Sequence, residues 1–217
     1  MTNVIALVIG ASAPDSVDYS VFRVVNGFAG RSAALDTLMI GCAKYLPVVF
    51  ALALIALWLS WRPRNQWAAL LAGVSAFVAL GFGQLIGKAM PRPRPYVGHT
   101  IHQLIPPSLD TSFPSDHATL GFAVAVMIWR YNRRAGAALL VLAVVLAFAR
   151  VFVGAHYPAD VLGGAVLGGA TSVVLGYLSD NSSLRIVFER ICQFLRRWHL
   201  AAPASESETR RAARTEI

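Results

Sequence analysis

Five runs of mostly apolar residues divide this chain: 44–61, 66–87, 117–129, 135–152 and 158–178. A helix needs about 20 predominantly apolar residues to cross the hydrocarbon of a bilayer. The second, fourth and fifth runs approach that length as they stand. The first does so if it starts near Leu35, and the third with some extension. The pattern predicts an all-α protein, a polytopic transmembrane helix bundle of about five spanning helices.

The ends of the chain read differently. Residues 4–13 are apolar but too short to span, and no basic stretch precedes them, so they resemble a signal peptide only weakly. Phe22, Val25 and Phe28 recur at helical spacing beside Arg23 and Arg31, which predicts an amphipathic segment lying on the bilayer. Beyond Asp180 the chain becomes Arg-rich, with an ordered piece expected near 188–195. The resulting organisation is an interfacial segment over 1–33, a transmembrane domain over 34–180 and an Arg-rich tail over 181–217. The Asn181-Ser182-Ser183 sequon is taken as a chance match.

Composition narrows the class. Apolar residues make up 56% of the 217 and charged residues 14%, where a soluble domain carries about a quarter as charges. The mean hydropathy is +0.58. Disorder, coiled coil and collagen are excluded. Cys42 and Cys192 are too few for a disulfide scaffold or a cysteine-based zinc site. Lys and Arg number 19 against 11 Asp and Glu, but they fall in clusters and not along a soluble basic face. That arrangement suits anionic lipid headgroups or a phosphorylated substrate better than nucleic acid. Trp58, Trp61, Trp67, Trp129 and Trp198 all lie close to arginines, as indoles at a headgroup zone do. Gly163, Gly164, Gly168 and Gly169 include a Gly-x-x-x-Gly pair, which predicts close helix packing inside the bundle.

Polar residues gather in two places, 88–117 and 150–160, each between apolar runs. Ionisable groups near a membrane are costly, so their default reading is functional. The first cluster opens with Lys88-Ala-Met-Pro-Arg92-Pro-Arg94-Pro95, whose alternating prolines hold it extended and project Arg92 and Arg94. A basic patch touching lipid phosphates is the alternative reading. Next comes Ser112-Phe-Pro-Ser115-Asp116-His117, directly before an apolar run. Ser115 suits an N-cap, behind which free backbone N–H groups face an anion, and His117 falls in the first helical turn. Then Arg150, His156 and Asp160 follow at intervals of six and four, with Pro158 suited to a first helical turn. Asp160 then lies about one turn beyond His156, where it can accept the Nδ1–H and leave Nε2 as nucleophile or base. A purely structural His–Asp bond is the alternative. The three elements in this order are more specific than any one. His99 and His102 fall in the connecting loop and read as solvated histidines.

On these motifs the chain resembles the type 2 phosphatidic acid phosphatases, which share a site with the vanadium haloperoxidases. Their pattern is Lys then Arg-Pro; Pro-Ser-Gly-His; then Ser-Arg, five residues, His, three residues, Asp. Here stand Lys88 with Arg94-Pro95, Pro114-Ser115-Asp116-His117, and Arg150 with His156 and Asp160. Five residues instead of six separate Lys88 from Arg94, Asp116 replaces Gly, and Ala149 replaces Ser. The first two departures, and the stretch from Tyr96 to His117, are similar to the bacitracin-resistance branch, whose members hydrolyse undecaprenyl diphosphate.

The resemblance implies an enzyme that turns undecaprenyl diphosphate into undecaprenyl phosphate in a bacterial plasma membrane. It implies that Lys88, Arg94 and Arg150 clamp the phosphoryl oxygens with Ser115, and that His156 attacks phosphorus while Asp160 stabilises the imidazolium. His117 protonates the leaving oxygen and then activates water. Arg92 and Asp116 are further candidates at the phosphate. No cofactor or divalent metal is implied, since three cations and a helix end offset the phosphate charge. Asp110, Asp116 and Asp160, the carboxylates near the motifs, form no evident ligand set. Two rivals stay open. One keeps the chemistry on another lipid phosphate (phosphatidic acid, phosphatidylglycerophosphate, lipid A) or transfers the phosphoryl group to an acceptor other than water. The other is a non-catalytic protein binding anionic lipids. Five spans put both polar clusters on one side, opposite Arg62, Arg64, Arg130, Arg133, Arg134 and the tail, so the site is expected to be extracytoplasmic.

Overall fold

A computed structural model describes residues 17–180 together with Arg190. The apolar stretch 4–13, the sequon at Asn181, the segment 188–195, Cys192 and Trp198 lie outside the described residues. Among residues 17–180 seven helices follow in order: α1 Val17–Asn26, α2 Ala33–Leu59, α3 Pro63–Ala89, α4 Pro95–Gly98, α5 Asp116–Tyr131, α6 Arg133–Phe152 and α7 Pro158–Ser179. Among the described residues, four of them (α2, α3, α6 and α7) are long and apolar enough to cross a membrane.

The fifth expected span is α5, which has 16 residues and so measures about 24 Å, less than the roughly 30 Å of hydrocarbon. It tolerates this because it faces protein. Ala118, Thr119, Ala123, Val124, Ala125, Met127 and Ile128 are all buried, against α3, α6 and α7. α5 nevertheless runs from one end of the bundle to the other. At its start Ser115 N–H donates to the Asp160 carbonyl at 3.0 Å. At its finish Tyr131 meets Ser179 at 3.4 Å, and Arg130 pairs with Asp180. Asn132 alone joins α5 to α6, and its Oδ1 caps α6 by accepting from Ala135 N–H at 3.1 Å.

The Gly-x-x-x-Gly pair forms the α5–α7 seam. A Cβ on Gly164 would stand 2.6 Å from the Ser115 carbonyl oxygen, and one on Gly168 2.2 Å from that of Thr119. One turn on, Ser172 Oγ donates to the Ala123 carbonyl at 2.6 Å. Gly168→Ala is therefore expected to destabilise by about 2–3 kcal/mol through overpacking, read as a lower thermal midpoint in detergent. Gly169→Ala is the matched control, since its Cβ would meet only Val126 Cγ2 at 3.8 Å. Equal midpoints for the two variants would remove the seam from the account.

Helix α1 is the main departure from expectation. Phe22, Val25 and Phe28 were expected to share a lipid-facing side. Instead Phe22 is 1% exposed, packing edge-on against Tyr157 at 5.5 Å. Asn26 donates to the carbonyls of His102 and Phe152, both at 2.8 Å, and accepts from His102 N–H at 3.0 Å. α1 is thus seated on the bundle. Its outer face, with Val17, Val21 and Val24, and Phe28 just beyond it are exposed. The reason is the polar Asn26, whose three hydrogen bonds go to His102 in the connecting loop and Phe152 at the end of α6, and which would find no partner in lipid.

Candidate active site

Four elements end at the same level of the bundle: the C-termini of α3 and α6 and the N-termini of α5 and α7. Arg150 occupies the last turn of α6 and is buried. The chain then reverses over three residues, with Ala155 and His156 N–H both donating to the Arg150 carbonyl, at 3.0 and 3.3 Å. Gly154 makes this possible at φ +81°; a Cβ there would also collide with Ile101 Cδ1 at 2.7 Å. Pro158 then opens α7, whose first turn carries Asp160, fully buried.

The His156–Asp160 arrangement corrects the sequence reading. Nδ1 of His156 is bonded to the main-chain carbonyl of Ser112 at 2.8 Å, whereas Asp160 Oδ2 lies 3.8 Å from it. The carboxylate is occupied elsewhere. It accepts from Ser112 Oγ at 2.5 Å, from Tyr157 N–H at 2.8 Å and from Arg92 Nη1 at 2.6 Å. A carbonyl can only accept, so Nδ1 bears the proton and Nε2 is left with its lone pair. Burial pushes His156 down to about 4; Asp160 pulls it up, and the charges of Arg150 and Arg94 push it further down. At neutral pH Nε2 is an uncharged base.

Around Nε2 the site is positive. Arg94, buried, holds its place by donating from Nε to the Asp110 carbonyl at 3.0 Å and from Nη1 to the Ala155 carbonyl at 3.2 Å. The same Nη1 is 3.4 Å from His156 Nε2. Arg150 Nε and Ser115 Oγ are buried without a hydrogen-bond partner among the described residues. Ser115 begins α5 but makes no side-chain cap bond. Buried donors of this kind ask for a ligand that accepts. An anion bringing several oxygens satisfies both, and among the described residues neither guanidinium is paired with a carboxylate.

His117 sits in the first turn of α5, half-buried, within electrostatic reach of Arg150 and Arg94 and of the uncharged His156. Asp116, its neighbour, is turned toward α3, accepting from Gln84 Nε2 at 3.0 Å. Lys88 is exposed in the last turn of α3, and the structure brings it into no hydrogen bond or ion pair among the described residues. Arg92, a candidate at the phosphate, is committed otherwise. It bridges Asp160 and Asp18 and stacks over the Tyr157 ring at 4.3 Å. Burial works against its charge, but the two carboxylates outweigh this and raise its pKa above the ordinary value. His99 also departs from a solvated loop position, stacking on Tyr19 at 3.9 Å. Among the described residues no three His, Cys, Asp or Glu side chains gather as a metal-ligand set.

Two contributors escaped the sequence reading. Ser112 lies inside a quoted motif, but its use of both hydroxyl and carbonyl depends on loop conformation. Asp18 stands on α1, and no local pattern links it to α7.

The sequence model described as PAP2 superfamily matches residues 67–183, which contain every one of the motif residues. The chain is 35% identical over 162 residues to undecaprenyl-diphosphatase BcrC of Bacillus subtilis, covering 75% of this chain and 82% of that one. It is 30% identical over 187 residues to the putative undecaprenyl-diphosphatase YbjG of Escherichia coli, covering 85% and 91%. Among solved structures, a transmembrane PAP2-type phosphatidylglycerolphosphate phosphatase from Bacillus subtilis superposes with TM-score 0.62 at 20% identity, over 82% of this chain and 92% of that one. The last likeness concerns the fold.

Proposed function

The chain belongs to the PAP2 superfamily and is a multi-pass membrane lipid phosphatase, and from that premise we propose that it hydrolyses undecaprenyl diphosphate through a phosphohistidine on His156. The observation that carries the mechanism is the Ser112 carbonyl on Nδ1, which leaves Nε2 unprotonated with its lone pair toward Arg94 in a site with unsatisfied buried donors. The substrate reading is supported by the names of the relatives in Bacillus subtilis and Escherichia coli.

In the first step Nε2 forms a bond to the terminal phosphorus as the bridging P–O bond breaks. Undecaprenyl phosphate leaves, its oxygen taking a proton from His117. Arg94, Arg150 and Ser115 hold the phosphoryl oxygens, whose charge is spread in the transition state. Asp160, 3.8 Å away, offsets the charge that His156 acquires. In the second step His117 takes a proton from water, the water oxygen bonds to phosphorus, and the N–P bond breaks to release inorganic phosphate. Lys88, exposed near the rim, is free to approach the same substrate.

The direct test is phosphate release from a panel of lipid phosphates by detergent-solubilised protein. Undecaprenyl diphosphate is expected to be turned over faster than phosphatidic acid, phosphatidylglycerophosphate or a lipid A phosphate. A preference for one of the latter reassigns the lipid, and no release from any member removes the enzyme reading. Turnover is further expected to survive EDTA and to be inhibited by vanadate, which takes five-coordinate geometry on a histidine nitrogen and mimics the in-line transition state. Strict dependence on added magnesium would call for a metal-assisted mechanism.

The location proposed is a bacterial plasma membrane with the site on its outer side. Arg62, Arg64, Arg133 and Arg134 lie at the opposite end of the bundle, where the positive-inside rule puts the cytoplasm. Single cysteines at Thr100 and Arg134, both exposed, in a background lacking Cys42 and Cys192, test this on intact cells. An impermeant thiol reagent is expected to label position 100 and spare position 134. The reverse result would place hydrolysis in the cytoplasm.

A further inference from the structure

Helix α1 delivers a carboxylate to the rear of the site. Asp18 Oδ2 accepts from Arg92 Nη2 at 2.5 Å, and its Oδ1 accepts from Ala159 N–H, in the first turn of α7, at 2.8 Å. The other arm of the same guanidinium, Nη1, donates to Asp160 Oδ1 at 2.6 Å. One cation therefore lies between two anions, with its Cζ 4.3 Å over the Tyr157 ring, and the trio keeps a net negative charge.

We infer that Asp18 is a positioning residue for phosphoryl transfer, dividing Arg92 so that Asp160 still acts on His156 as an anion. The inference rests on the phosphohistidine reading above. Arg92 paired with Asp160 alone would form a neutral couple, and its two terminal nitrogens would be free to close on that one carboxylate in the bidentate geometry guanidinium favours. Asp160 would then be drawn away from Ser112 Oγ and Tyr157 N–H. The imidazolium that forms with the N–P bond would face Arg94 and Arg150 without an opposing charge. The side chains of Arg92 and Asp18 are 27% and 20% exposed, so solvent screens part of this effect. Anchoring of α1 does not require the Asp18 charge. Buried Phe22 and the three bonds of Asn26 already seat the helix.

Asp18→Asn tests this in the full-length protein, because the amide oxygen still accepts from Ala159 while the charge is lost. The expected result with undecaprenyl diphosphate is a kcat lower by about tenfold to a hundredfold with KM unchanged, and partial recovery in Asp18→Glu. In an Arg92→Met background, Asp18→Asn is expected to cause no additional loss, since the residue acts through Arg92. An Asp18→Asn protein with wild-type kcat overturns the inference, as does an equal loss with and without Arg92. A wild-type protein that releases no phosphate overturns the enzyme reading and the inference together. Full activity in both wild type and Asp18→Asn overturns the role of Asp18 alone.

Discussion

Replacing His156 with alanine is expected to abolish phosphate release from undecaprenyl diphosphate while the protein remains folded and inserted. The loss is expected on the order of 10^5-fold or more, the scale at which removal of a covalent nucleophile acts. Nε2 carries the lone pair that faces Arg94, and His117 is assigned to proton transfer. His156 is 2% exposed and its Nδ1–H satisfies a buried carbonyl, so the alanine variant carries a stability cost of about 1–3 kcal/mol. His156→Gln fills more of the space and serves as the second variant. Both are compared with wild type by elution profile and thermal midpoint before phosphate release is measured. Wild-type turnover in either folded variant would take the nucleophile away from His156.

The second large effect is expected at His117, and it separates the two chemical steps. Loss of a general acid and base costs about 10²- to 10⁴-fold, so His117→Ala hydrolyses the lipid diphosphate slowly. An activated aryl phosphate, whose phenol is already ionised near neutral pH, needs no protonation of its leaving group. On such a substrate the variant is expected to release about one equivalent of phenol per site in a burst and then stall as phosphoenzyme, since no base activates water. Asp116 is tied to Gln84 on α3, and His117, next in the first turn of α5, lies in the field of Arg150 and Arg94. Rapid steady turnover of the aryl phosphate without a burst would mean that another group serves the second step.

The spanning helices were legible because lipid and bundle interior both select apolar residues, so runs such as 135–152 declare themselves without any tertiary information. Arg150, His156 and Asp160 were legible together for a different reason. They belong to one helix–turn–helix unit whose spacing, with Pro158 and Gly154, sets their relative positions locally. The same locality argument misplaced one bond. One turn of separation brings Asp160 near His156, but Arg92, Ser112 Oγ and Tyr157 N–H compete for its oxygens, and the first two come from outside the unit. The docking of α1 was illegible because it depends on Asn26 finding His102 and Phe152 across the fold. Periodicity alone assigns Phe22 to whichever apolar phase lies nearest, lipid or protein.

The carbonyl of Ser112 has a consequence for inheritance. Every other group proposed to act on His156 belongs to a side chain and can be deleted by a change in one codon. The oxygen that decides which imidazole nitrogen carries the proton is part of the main chain, and no missense change at position 112 removes it. Genetic damage to that decision has to arrive indirectly, through residues that keep the 111–113 backbone where it is. Gly87, where a Cβ would stand 2.6 Å from Thr111 Oγ1 and 3.2 Å from the Phe113 carbonyl oxygen, is such a place. Inactivating alleles are thus expected at a glycine on α3 that never meets the substrate, whereas a change at position 112 keeps the carbonyl and removes the hydroxyl that holds Asp160.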